Sequence, residues 1–120
     1  MQIKTLSEQD KKDINRLLNL ELDEVYAELA QDIGDLSPGD DLKKFVDDWL
    51  NERRTKLYDL ICTKHEYCTF ISENKHVSLV NIAGAVADII VPLCYGGIAI
   101  NALSVLLIRS YLDNLCNCNQ

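Results

Sequence analysis

Residues 77–108 read VSLVNIAGAVADIIVPLCYGGIAINALSVLLI, and the reading of this stretch decides the fold. It runs for 32 residues without Lys, Arg or Glu, and Asp88 is its only charge. A straight helix of that length would be about 48 Å long. A compact domain formed by the whole chain would be about 35 Å across. The stretch should therefore break, and a hinge is written at Pro92 and at Gly96 and Gly97. Proline clashes with the preceding helical turn, and paired glycines relax the backbone. Two helical limbs are predicted, Val77–Val91 and Gly97–Tyr111.

Each limb carries a narrow polar or small-residue stripe at helical spacing. In the first it is Ser78, Asn81, Ala85 and Asp88; in the second it is Gly97, Asn101 and Ser104. Steps of three and four place each set on one face. The remaining faces are Val, Ile, Leu and Ala, so each limb should be buried in protein or in lipid. The polar stripes then need partners, either across the hairpin or on a neighbouring subunit. Asp88, isolated among apolar residues, is expected to be neutralised or paired.

A membrane span is the first alternative. Ile89 to Ile108 is uncharged for 20 residues, the minimal spanning length. Its aliphatic residues favour insertion by roughly 3 to 7 kcal/mol. Asn101, Ser104, Pro92 and the glycine pair oppose it, and an ionised Asp88 adds about 3 kcal/mol against. Lys75 and His76 flank one side and Arg109 the other, so charge does not orient the segment.

Outward from this stretch, the charge is uneven. Of 19 Asp/Glu and 12 Lys/Arg, residues 1–60 hold 15 and 9, leaving 4 and 3 for residues 61–120. Net charge is −7 with no basic cluster, which argues against nucleic-acid binding. The first 30 residues are charged throughout and show no signal or transit pattern.

Ser7-Glu8-Gln9-Asp10 resembles a capping box. Ile14, Leu18, Leu22, Val25, Leu29 and Ile33 then form one amphipathic stripe. One helix is predicted over about Glu8–Ile33, with Gly34 as its C-terminal stop. Asp35–Asp41 reads as a linker, and Ser37-Pro38 as the start of a second helix. That helix carries Leu42, Phe45, Val46, Trp49, Leu50, Leu57, Leu60 and Ile61. Arg53 interrupts the stripe; the simplest account is a snorkelling side chain, the sharper one a polar contact with a partner or with Asp88.

Five cysteines without a secretion signal favour reduced thiols in a cytosolic setting. A disulfide from the tail to Cys62 or Cys68 is the alternative. Cys62, His65, Cys116 and Cys118 have poor zinc geometry, and no metal site is predicted. Cys118 is third from the end, where a prenylation box needs the fourth. No catalytic motif, Gly-rich phosphate loop or small-molecule site is present, so the chain reads as a non-enzyme without a cofactor.

The reading is an all-α single domain of about four helices. Residues 1–74 form an acidic amphipathic hairpin and residues 75–120 an apolar hairpin with a Cys-containing tail. Two functions fit. One is a small membrane-active protein whose apolar hairpin inserts or oligomerises in a bilayer, with the acidic half as a cytosolic docking module. The other is a soluble helical interaction protein, such as an adaptor, immunity or antitoxin-type subunit, whose apolar hairpin is core or oligomer interface. The first is favoured, because so long an apolar hairpin is unusual as the core of so small a chain. Either way the expected partner is a protein or a second copy, and the expected location is cytoplasmic, with membrane association under the first reading.

Overall fold

Ser7 opens the first helix as its sequence predicts: its Oγ accepts from the Asp10 amide at 3.1 Å, and α1 spans Glu8–Asn19. The computed structural model describes residues 1–33, 41–93 and 99–118. The described residues contain helices and no strand, so the chain is all-α. They form eight α-helices, a π-helical segment and a 3₁₀ turn, where about four helices were expected.

The difference begins at residue 20. The helix expected over 8–33 is two, α1 and α2 (Leu22–Ile33). Leu20 is extended, and the Glu21 carbonyl restarts the ladder by accepting from the amides of Glu24 and Val25. What stabilises the break lies far along the chain. Arg109 Nη1 donates to the carbonyls of Leu20 at 2.9 Å and Leu17 at 3.4 Å. A cation there gives the Leu20 carbonyl a donor, adds to the bond Leu17 already receives from the Leu20 amide, and complements the dipole of α1. Arg16 ties the two helices together by donating to Asp13 and to Glu28.

The second predicted helix is also divided. The helix α3 (Leu42–Glu52) is capped by Asp41, whose Oδ1 accepts from the Lys44 amide at 3.1 Å. Gly34 and the Ser37-Pro38 start signal lie outside the described residues. Arg53 leaves helical geometry, and α4 (Arg54–Leu57) follows directly. The chain then widens into a π-helix over Tyr58–Lys64 before α5 (Tyr67–Glu73).

The apolar limbs become α6 (Leu79–Ile90) and α7 (Ile100–Ser110). Ser78 caps α6, accepting from the Asn81 amide at 3.4 Å. Pro92 sits in the 3₁₀ turn Val91–Leu93 that follows α6; the other hinge residues, Gly96 and Gly97, lie outside the described residues. A final short helix, α8, spans Leu112–Cys116.

Helix α7 is the centre of the fold. Six consecutive residues, Ala102–Leu107, are buried, which requires cover on every side. Leu103, Leu106 and Leu107 join Val25, Leu29, Val46, Leu50, Leu57 and Ile61 in the main core. Ala102 and Val105 face the other way, onto Leu6, Ile14, Leu17 and Ala83. The acidic amphipathic helices thus cover the apolar hairpin. Among the described residues, no helix is long and apolar enough to cross a membrane, and the transmembrane reading finds no support.

Asp88 is paired but not buried. Its side chain is 60% exposed and accepts from Lys4 Nζ at 2.9 Å. The N-terminal segment runs beside α6, with Leu6 seated on Gly84, and so carries Lys4 to the outer edge where Asp88 lies. Ile82–Ala87 are buried in one unbroken run, so the middle of α6 is enclosed; its exposed residues, Leu79 and Asp88, lie toward its two ends.

Candidate functional site

The predicted polar stripes do not meet in one place. Ser104 is the one buried polar residue among those described, and its Oγ donates to the Ala83 carbonyl across the α6–α7 seam. Asn101 points to α1 instead, donating to Asp13 at 3.0 Å and to Asp10 at 3.4 Å. Burial raises the Asp13 pKa, but the bonds from Asn101 and Arg16 and the Arg16 charge outweigh it, leaving a net lowering. Ser78 is a helix cap, and Asp88 belongs to the exposed pair with Lys4. The stripes therefore do structural work at four separate points. A cavity of about 390 Å³ lies beside Asn101, Asp13 and Lys4.

The cysteines correct a second expectation. Cys62–Cys116 and Cys68–Cys118 are disulfides, with Cα separations of 5.2 and 5.1 Å. Those separations fall in the ordinary bonding range. The sequence reading favoured free thiols and left a tail disulfide open; the fold brings both pairs together because α8 lies against the π-helix and α5. Cys94 lies outside the described residues.

Along α3 the structure leaves a surface that the sequence analysis counted as core stripe. Three contiguous depressions follow this helix. One, about 360 Å³, is lined by Asp23, Tyr26, Asp41, Leu42 and Lys43. The next, about 230 Å³, shares Asp41 and adds Lys44, Phe45 and Asp48. The third, about 270 Å³, shares Phe45 and Asp48 and adds Trp49 and Glu52. Together they form a shallow furrow on the outer face of α3, its second and third parts lined by that helix or its cap alone, with Leu42 and Phe45 half-buried along it and Trp49 nearly covered.

The furrow's charge is set by its helical register. Lys43 pairs with Asp47 at 3.3 Å and Lys44 with Asp48 at 2.9 Å, each one helical turn apart. Asp23, Asp41 and Glu52 complete a rim on which carboxylates outnumber bases. Arg53 lies with its guanidinium 4.1 Å from the Trp49 ring centre and donates to the Trp49 carbonyl at 3.1 Å. It is the stacked, stem-buried arginine of the simpler reading and has no bond to Asp88. Tyr26 closes one end, its hydroxyl donating to Asp47 at 3.2 Å. Burial, and then the Asp47 charge, raise the Tyr26 pKa, which keeps the phenol as the donor to Asp47.

Sequence reasoning identified Phe45 and Trp49 only as apolar members of the helix stripe. The signal that was missed is the pairing of half-covered aromatics with acidic residues one turn away. Among the described residues, no group of three or more His, Cys, Asp or Glu is placed to hold a metal ion. Compared with protein-family models, curated proteins and solved structures, the chain matches none.

Proposed function

We propose that this chain is a non-enzymatic helical interaction module that takes a cationic, amphipathic segment of a partner protein along α3. One observation carries the reading: the half-buried Phe45 and Leu42 lie in a furrow whose rim is acidic. An apolar side chain of the partner fills the floor beside Phe45. Its lysines or arginines displace Lys43 and Lys44 from Asp47 and Asp48. Those i,i+4 pairs are solvent-exposed and contribute little, so they are easily exchanged. Aromatic anchors surrounded by a polar rim are the usual anatomy of a binding hot spot. The net charge of −7 steers a cationic partner toward the surface and opposes self-association through this acidic face.

The apolar hairpin, in this account, is the core that holds α3 in place. It is covered by α1 and α2 on one side and by the α4–α5 region and α8 on the other. This is the interaction-protein reading of the sequence, and the absence of a membrane-length helix among the described residues supports it over the membrane-active one.

Trp49 is the chain's single tryptophan and reports directly on the furrow. An amphipathic helical peptide bearing lysines beside a leucine stripe should change its fluorescence saturably. Phe45→Ala should weaken binding by about fivefold or more, the effect of losing about 1 kcal/mol at a hot spot. Asp48→Lys should weaken it further, and raising salt should weaken the original chain more than the Asp48→Lys chain. A peptide that leaves Trp49 unchanged, or one bound equally well by Phe45→Ala, would overturn the assignment.

A further inference from the structure

The corner where residues 58–68 meet residues 111–118 gathers the irregular backbone of the described chain. It holds the π-helix, in which the ladder widens until the His65 amide reaches the Leu60 carbonyl at 3.2 Å. It also holds both non-glycine residues with positive φ, Glu66 at 49° and Asn117 at 56°. Such conformations cost free energy and persist only where the surroundings enforce them. Asn117 is the left-handed residue that ends α8; both residues lie among the four cysteines of the two disulfides, Glu66 between Cys62 and Cys68 and Asn117 between Cys116 and Cys118.

The segment that the disulfides hold cannot stand alone. Helix α8 has five residues, well below the length at which an isolated helix is stable. Its other attachments are Leu112 and Leu115, buried in the main core, and short local bonds such as Cys118 amide to Asp113 carbonyl at 3.2 Å. All four cysteines are half-buried rather than enclosed, so a small thiol can reach them.

We propose that the two disulfides are a reduction-sensitive latch on residues 112–118. Oxidised, the latch presses α8 onto the π-helix and α5 and keeps Leu112 and Leu115 in the main core. A dithiol reductant opens it. One reductant thiolate attacks a disulfide sulfur and forms a mixed disulfide, releasing one cysteine thiolate that takes up a proton. The second reductant thiol then displaces the other cysteine and leaves as an intramolecular disulfide. Each disulfide takes up two electrons and two protons, so two dithiols yield four cysteine thiols. Disulfides persist in oxidising compartments and are lost in reducing ones, so the latch distinguishes the two. Because the crossings lie two residues apart on the tail, either disulfide alone suffices to hold α8.

Hydrogen exchange on the whole chain tests this, before and after dithiothreitol, with reduction verified by alkylation and mass. The amides of Leu115 and Cys118 should exchange at least tenfold faster once reduced. That acceleration should exceed any seen within Leu103–Leu107 of α7. A Cys62→Ser/Cys116→Ser chain, keeping Cys68–Cys118, should stay closed without reductant and open with it. A four-serine chain should be open without reductant. Two results would overturn the proposal. One is a tail as protected after full reduction as before. The other is a tail and an α7 that accelerate equally, which would make the disulfides a staple of the whole fold.

Discussion

Replacing Ser104 by Asp, and separately Asp88 by Leu, perturbs the same helix pair in opposite ways. Ser104 is fully buried, and its hydroxyl meets the Ala83 carbonyl across the α6–α7 seam. A carboxyl there loses that bond, worth about 1 kcal/mol. It also enters a seam in which residue 104 has no exposure to solvent. The unpaired polar group costs about 2–5 kcal/mol, and the larger side chain adds about 1–3 kcal/mol of overpacking. The total, about 4 kcal/mol or more, is a large part of the roughly 6–18 kcal/mol expected for a chain of this length. Asp88, by contrast, pairs with Lys4 where the two side chains are 60% and 46% exposed. Such a pair contributes about 0.2–1 kcal/mol. At about 4 °C per kcal/mol, Ser104→Asp should lower Tm by about 15 °C or more, and Asp88→Leu by less than about 4 °C. Ser104→Ala, which removes only the bond, should fall between them. Thermal melts of the oxidised chains followed by circular dichroism give all three numbers. A Tm loss larger for Asp88→Leu than for Ser104→Asp would refute this placement of the two residues.

Gly84→Val should cost about 1–3 kcal/mol, because even a Cβ at this position would lie 2.6 Å from Leu6 Cδ2; adding Leu6→Ala should recover part of the loss, and no recovery would argue against the contact. Tyr67 has its pKa raised from 10.0 to about 12, by burial first and by the Asp113 charge second. Its neutral form is favoured on folding, so its contribution is fully present below pH 10.0 and is lost as pH rises through about 12. Tyr26 is raised as well, so alkaline titration by phenolate absorbance should show more than one late tyrosine, and Tyr67→Phe should remove one of them; a Tyr67→Phe chain with an unchanged titration would contradict the assignment.

The fold class was legible because apolar residues recur at steps of three and four over most of the chain, and nothing competes with that signal. Ser7 was legible as a cap for the same local reason, since its partner is three residues away. The break at Leu20 was not. The stripe passes through it in phase, from Leu18 to Leu22, and Arg109, which stabilises it, lies 89 positions away. Asp88 was misread because isolation among apolar neighbours in sequence resembles isolation in space. Only the path of residues 1–6 shows that Lys4 reaches it. The disulfides depend on where a five-residue helix docks, and no spacing rule encodes that. The furrow on α3 was hidden for a related reason. Periodicity marks Phe45 as belonging to an apolar stripe but does not tell whether the stripe is covered.

Hydrogen exchange of the oxidised chain, with and without lipid vesicles, tests most directly whether residues 77–108 form the protein's own core. Val86 and Ile90 in α6 and Leu103–Leu107 in α7 are fully buried by protein. Their amides should be among the slowest to exchange in water alone, and vesicles should leave their rates unchanged. Fast exchange of these amides in water, with protection gained only on adding vesicles, would contradict the account and return the stretch to the bilayer.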